Sequence, residues 1–348
     1  MEMRRRACLA LMTGAVASPV SAMSFGMSES WTDWKAAFLR PEGRVVDALQ
    51  DGASHSEGQG YGMLLAAFGE DAQAFATMYD WTERHLGVRQ DPLLAWRWLP
   101  DAETPVPDYN NASDGDLFYA WALLEGARRF TVPAYRDRAR DIARFLAVSC
   151  VRPDPRDASR RLFLPAAERS GSTERRIVNP SYTMPRAMHA LADTFDVPEL
   201  GRAATDGVDL IGDLAREGPV PDWVEIDSYD VRPARDFARQ SGYSAMRVAL
   251  YLVWSSRLYH PAVARAEALH ISAGWPGTAT VFTLDGQVSQ RSSYPGYAAV
   301  AALSICADGA SATMPAADAV QPYYPATLHL FALHAARAEA RQCLPEGQ

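Results

Sequence analysis

The stretch Ser56-Glu57-Gly58-Gln59-Gly60-Tyr61-Gly62-Met63 runs straight into Leu64-Leu65-Ala66-Ala67-Phe68. One carboxylate thus stands among three glycines, a glutamine and a tyrosine at the mouth of an apolar run. Small residues let a ligand approach the backbone closely. A carboxyl group partly withdrawn from water favours its protonated form, which suits it to act as an acid near neutral pH. The commoner meaning of Ser-Glu is a helix start, with Ser56 as the cap and Glu57 in the first turn. The glycines and Tyr61 exceed what a cap requires.

Outward from this stretch the chain reads as helix punctuated by Gly/Pro-rich loops. Apolar residues at helical spacing predict helices over Trp31–Leu39, Glu57–Phe68, Ala72–Leu86, Asp116–Phe130, Tyr135–Val148 and Pro185–Phe195. The same spacing recurs over Ala203–Ala215, Ala245–Leu258, Pro261–Ile271, Gly296–Ile305 and Pro325–Ala340. Strand signals are few; Val281-Phe282-Thr283-Leu284 before Asp285-Gly286 predicts one hairpin. No polar linker or fixed-period repeat divides the chain, so one all-α domain is expected over residues 23–348.

Composition narrows the function. The first residues read as a secretory signal over 1–22: Arg4, Arg5 and Arg6, a short apolar run, then Val20-Ser21-Ala22. A secreted or periplasmic protein is expected, with no membrane insertion once the signal is removed. The formal charge is −8, and losing the signal takes it to about −10. Such a chain is a poor partner for nucleic acid or an anionic membrane. Past Cys8, only Cys150, Cys306 and Cys343 remain, enough for one internal disulfide and a free thiol, with the pairing open. No Cys/His ligand spacing appears, and His329 and His334 fall on different helix faces, so no metal is expected.

A second constellation, Asn110-Asn111-Ala112-Ser113-Asp114-Gly115-Asp116, precedes the run Leu117–Phe130. Two carboxylates two residues apart at a helix start cannot face the same way, so one can cap while the other points into a cleft. Together, Ser56–Met63 and Ala112–Phe130 resemble the two signature regions of glycoside hydrolase family 8, the bacterial endo-β-1,4-glucanases. Gly43–Asp47, Ala95–Trp98, Asn179–Tyr182 and Tyr294–Tyr297 also resemble family segments, closest to the branch encoded with bacterial cellulose synthases. The resemblance implies an (α/α)6 barrel with an open cleft across the inner-helix N-termini. It implies inverting hydrolysis within β-1,4-glucan, no cofactor, and work alongside the cellulose synthase export machinery. By position Glu57 matches the proton donor, and Asp114 the aspartate that grips the sugar at the point of cleavage.

Inversion needs a protonated carboxyl on the leaving oxygen and a second carboxylate roughly 6.5–9.5 Å away to activate water. Trp96, Trp98, Tyr182 and Tyr243 are candidate platforms for the apolar faces of sugar rings, with core packing as the alternative for each. In the third family segment, Ser241–Val248, this chain departs from the pattern: Ser244 stands where the cellulase branch places its general-base aspartate, while Arg247 keeps its place. A serine hydroxyl does not take a proton from water near neutral pH without a base beside it. Asp227, Asp230 and Asp236, just upstream, are candidate substitutes. The other readings are a glucan-binding accessory protein with impaired catalysis, or a related xylanase or chitosanase.

Overall fold

The structure, a computed structural model, describes residues 21–168, 174–274, 276–307 and 309–345. Residues 1–20, most of the expected export signal, lie outside the described residues. Eleven α-helices are present among the described residues. They are α1 (Ser21–Phe38), α2 (Ser56–Phe68), α3 (Ala72–His85), α4 (Ser113–Phe130), α5 (Pro133–Ser149) and α6 (Pro185–Phe195). The rest are α7 (Pro198–Glu217), α8 (Met246–Trp254), α9 (Pro261–Ala273), α10 (Pro295–Cys306) and α11 (Tyr323–Glu339). Proline opens α5, α6, α7, α9 and α10. Its fixed φ is already helical there and its missing N–H would lack an intrahelical partner anyway.

The contacts sort the helices into two layers. An inner set runs α2 on α4, α4 on α6, α6 on α8, and α8 on α10 and α11. The ring closes where Tyr61 of α2 meets Phe331 of α11 edge-on, with centroids 4.8 Å apart. Outside it, α3, α5, α7 and α9 pack against their inner neighbours, and α1 packs on α11. The fold is an (α/α)6 barrel in which the segment between α10 and α11, the place of a sixth outer helix, has no helix among its described residues. Tyr61, Phe118, Tyr251 and Phe331 interlock at the centre, all essentially buried. Truncating such a ring to alanine costs about 3–5 kcal/mol, because the cavity adds to the lost transfer energy.

Ten short strands decorate the ring. They are β1 (Ser54–His55), β2 (Arg97–Trp98), β3 (Val151–Asp154), β4 (Asp157–Phe163), β5 (Arg175–Val178), β6 (Val224–Asp227), β7 (Val231–Pro233), β8 (Gln240–Ser241), β9 (Thr278–Thr283) and β10 (Val288–Ser292). All pairings are antiparallel, in four small sheets: β1–β2, β3–β4, β5–β6–β7 and β8–β9–β10. The expected hairpin is β9–β10, paired through Val288 and Phe282. The other sheets go beyond the expected single hairpin. The described cysteines resolve the open pairing: Cys306 and Cys343 form a disulfide, and Cys150 is a buried free thiol.

Candidate active site

Everything of chemical interest gathers where inner helices begin. Helices α2 and α4 start side by side because glycine lines their seam. A Cβ at Gly115 would lie 2.2 Å from Ser56 Oγ and 2.7 Å from the Glu57 nitrogen. A Cβ at Gly60 would lie 2.7 Å from the Tyr119 nitrogen. The motif glycines therefore face protein, and their smallness serves helix contact rather than ligand approach. The expected cap also shifts: His55 takes the N-cap position of α2 without a side-chain cap bond, and Ser56 is its first residue.

This seam brings Glu57 and Asp114 together, and Arg247, from the first turn of α8, reaches between them. Its Nη1 pairs with Glu57 Oε2, donates to the Tyr61 hydroxyl at 2.9 Å, and approaches Asp114 Oδ2 at 3.4 Å. Its Nη2 donates to Ser181 Oγ at 2.8 Å. Ser181 Oγ in turn donates to Asn179 Oδ1 at 2.8 Å, and Asn179 Nδ2 donates to Ser244 Oγ at 3.3 Å. A continuous polar chain thus links the acid pair to the position where the base is missing. Asp222 holds the loop carrying Ser244, accepting from the Gly242 and Ala245 nitrogens at 2.9 and 2.8 Å.

The electrostatics follow from burial. Two carboxylates share one buried guanidinium, so the cluster carries excess negative charge out of water. Such a pair does not ionise fully. The Asp114 carboxyl is pushed well above the ordinary range, first by burial and then by the Glu57 charge beside it, with Arg247 opposing. Its side chain is 3% accessible, whereas that of Glu57 is 23% accessible. Glu57 is the member of the pair that a ligand reaches. Burial likewise pushes up the hydroxyls of Tyr61, Tyr182, Tyr323 and Tyr324, so they stay neutral around the pair. Asp114 and Asp116 face different ways, as expected, but neither caps α4, whose N-cap position is held by Ala112 without a side-chain bond. Asp114 faces the arginine, while Asp116 turns away to accept from the Leu94 nitrogen at 2.8 Å and Asn111 Nδ2 at 2.9 Å.

The proposed sugar platforms divide. Tyr182 lies beside the acid pair, with the Arg247 guanidinium 5.8 Å from its ring. Tyr243 is exposed beside Tyr297, with centroids 5.7 Å apart. Trp96 donates to Asp108 at 2.8 Å and has Arg97 over its ring at 4.4 Å. Trp98 meets Trp81 edge-on at 5.6 Å, with Arg44 at 5.0 Å from its ring, a packing arrangement. Among the described residues the three upstream aspartates make no hydrogen bond or ion pair with Glu57, Asp114 or Arg247. Asp227 and Asp230 pair with Arg232 at 2.7 and 3.5 Å, and Asp236 with Arg175 at 2.8 Å. Strand register places Asp227 opposite Arg175, three residues from Val178 and hence about 10 Å along β5 from the Asn179 end.

Sequence reasoning missed Asn179, Ser181, Tyr61 and Asp222 as site builders. Asn179 and Ser181 lay within a family-like segment, a signal that could have drawn attention to them. Among the described residues no group of His, Cys, Asp and Glu is arranged to hold a metal ion. His329 bonds to the Pro315 carbonyl, and His334 packs between Phe68 and Trp254.

A helical barrel whose inner-helix N-termini converge on an accessible acid, a buried partner and an arginine has the layout of a glycosidase. The family profile of glycosyl hydrolases family 8 matches residues 1–338. A probable endoglucanase from Novacetimonas hansenii is 34% identical over 337 residues, covering 94% of each chain. The structure of endo-β-1,4-glucanase CMCax from Acetobacter xylinum aligns with TM-score 0.82 at 31% identity, over 91% of this chain and 99% of that one. Endoglucanase Cel10 from Klebsiella pneumoniae aligns with TM-score 0.79 at 29% identity, over 89% and 99%. The chain belongs to glycosyl hydrolase family 8.

Proposed function

We propose that Glu57 is the proton donor of an inverting endo-1,4-β-glucanase, and that Asp114 grips and stabilises the reacting sugar. The chain is a glycoside hydrolase of the endoglucanase type, and β-1,4-glucan is its substrate. The observation that carries the residue assignment is the unequal access of two carboxyls held by one arginine. Glu57 keeps the greater solvent access, so the glycosidic oxygen of a bound chain meets it first. Protonating that oxygen lets the bond break with the charge left on the sugar ring, and the Asp114 carboxyl beside it stabilises the oxocarbenium-like state. Glu57 and Asp114 both contact the same Arg247 nitrogen, which brings their nearest oxygens closer than the roughly 6.5–9.5 Å of an inverting acid–base pair.

The attacking water then lies on the opposite sugar face, which the polar chain ending at Ser244 and Asn179 serves. We assign its proton to the segment carrying Asp227, Asp230 and Asp236. Asp230 has the weakest tie, a single arginine at 3.5 Å with a side chain 60% accessible. Asn substitution of the acting base removes about 10²–10⁴ of the rate. Equal activity in all three single variants overturns this assignment. The arginine partners of all three favour a second reading, a glucan-binding accessory protein with impaired catalysis.

Reducing-end release from carboxymethylcellulose, with the first-formed anomer followed by NMR, tests the main reading. The α-anomer is expected. Binding without release supports the accessory reading, and turnover on xylan or chitosan alone displaces cellulose. The proposed setting is the periplasm or exterior, beside cellulose export. No described helix is long and apolar enough to cross a membrane. Co-purification with the cellulose synthase export machinery tests that setting, and its failure leaves the hydrolase without that partner.

A further inference from the structure

The end of the barrel opposite Glu57 carries a cavity of about 470 Å³, where α2, α4, α8 and α11 finish and α6 begins. Phe68 at its rim lies eleven residues after Glu57, hence about 17 Å along α2. Its charged lining consists of Arg128, Arg129, Arg186 and Arg337 with one glutamate, Glu125. Arg128 and Arg129 both pair with Glu125, at 3.0 and 3.7 Å, and Arg186 pairs with Glu339 outside the lining. Arg337 has no acidic partner among the described residues, and its buried Nε and Nη1 have no hydrogen-bond acceptor there. Burial holds its pKa below the ordinary arginine value. Four arginines against two glutamates leave a local excess of positive charge in a chain whose net charge is −8.

Helix ends explain part of this. The last turns of α4 and α11 carry Arg128, Arg129 and Arg337, where cations complement the negative end of the helix dipole. That effect does not supply a buried N–H with an acceptor, and an unpaired buried guanidinium is costly. A planar fork of N–H donors matches the oxygens of phosphate or carboxylate. The walls add Phe68, over which Arg129 sits at 5.4 Å, and the buried Trp121 and Trp254. The volume suits a small ligand, and the positive lining offers nothing to a neutral glucan strand.

We propose that this cavity is a binding site for a small multivalent oxyanion, of the phosphate or tricarboxylate kind, held by Arg337 and Arg129. The site is independent of the catalytic cleft. Thermal unfolding of the full chain tests it, in phosphate or citrate against sodium chloride at equal ionic strength. A saturable rise in Tm with phosphate or citrate, absent with chloride, is expected. The anion that saturates at the lower concentration identifies the chemical source. In Arg337→Met the half-saturating concentration rises about tenfold or more, the loss of one charge-assisted contact. Carboxymethylcellulose hydrolysis without added anion stays at the wild-type rate in that variant. Arg129→Met gives the same result if Arg337→Met fails to fold. Chloride matching both anions overturns the proposal, as does wild-type half-saturation in every folded variant.

Discussion

Two carboxylate clusters in this molecule handle charge in opposite ways. At the barrel mouth, Glu57 and Asp114 share one guanidinium. In the β5–β6–β7 sheet, Glu225 alone is surrounded by Arg175, Arg232 and Arg235. The first cluster is short of cations, and its buried member is pushed towards the neutral form. In the second, three guanidiniums converge on one buried carboxylate, though Arg175 and Arg232 also serve Asp227, Asp230 and Asp236. Glu225 is pulled down to about 2, chiefly by its hydrogen bond from Arg235. A carboxyl pair that must keep a transferable proton shares a single cation. A carboxylate that fastens a sheet has several cations upon it.

The largest effect expected from breaking this contrast is at Glu57. Glu57→Gln removes the proton but keeps the shape, so kcat falls about 10²–10⁴-fold while glucan retardation in affinity gels is unchanged. Unaltered turnover would rule out the acid assignment. Asp114→Asn comes next, with a loss of about 10²–10³-fold, because a carboxyl able to take up negative charge beside the oxocarbenium is exchanged for an amide that cannot. A change confined to KM would instead mark Asp114 as a simple binding group.

Ser244→Asp sharpens the comparison from the other side. It adds a carboxylate at the end of the Asn179–Ser181–Arg247 chain. Turnover rises about tenfold or more if that position still faces the attacking water. No gain would mean that another group already does the work.

Glu225→Gln acts on stability alone. Tm falls by several degrees at pH 7 while kcat is retained. The Glu225 value lies below the ordinary 4.5, so its contribution is fully present above about 4.5 and is lost as pH falls towards 2. Melting curves of wild type and variant therefore converge in that window, and a gap that persists at pH 2 would contradict the ion-pair account. The smallest effect is at Asp116, raised from 3.8 to about 7, mainly by burial. The folded state holds this proton longer than the unfolded chain, so stability drops as pH rises from about 4 to 7. Asp116→Asn should flatten that part of the profile.

The helices were legible because each is long, periodic and often opened by proline; expected and observed spans differ mostly at their ends. Expected Ala203–Ala215 proved to begin at Pro198, since Glu199 and Gly201 hid the first turn from an apolar count. Most of the other strands were missed because runs of two to four residues, such as Ser54–His55 and Val231–Pro233, carry too little alternation to register, and the longer β4 gathers its large apolar residues, Leu162 and Phe163, at one end. Glu57, Asp114 and Arg247 were found through motif likeness, and the structure places them in mutual contact. Asn179, Ser181 and Tyr61 matter through a hydrogen-bond relay, and neutral polar side chains advertise no chemistry until their partners are known. Trp98 shows the converse. An aromatic flanked by arginine and tryptophan reads like a sugar platform in one dimension and packs like core in three.

The disulfide between Cys306 and Cys343 bridges the end of α10 to the turn beyond α11, spanning 37 positions. Between those ends runs the stretch where the outer layer has no helix among the described residues. The barrel therefore has a seam, and a covalent weld lies across it, removing loop entropy from the unfolded chain equivalent to about 4 kcal/mol. Thiol-reducing surroundings open the weld and leave α11, which carries Phe331 into the central cluster, fastened by packing alone. In an oxidising milieu the wall gains that last fastening, and material made in a reducing host starts life with the seam unsewn.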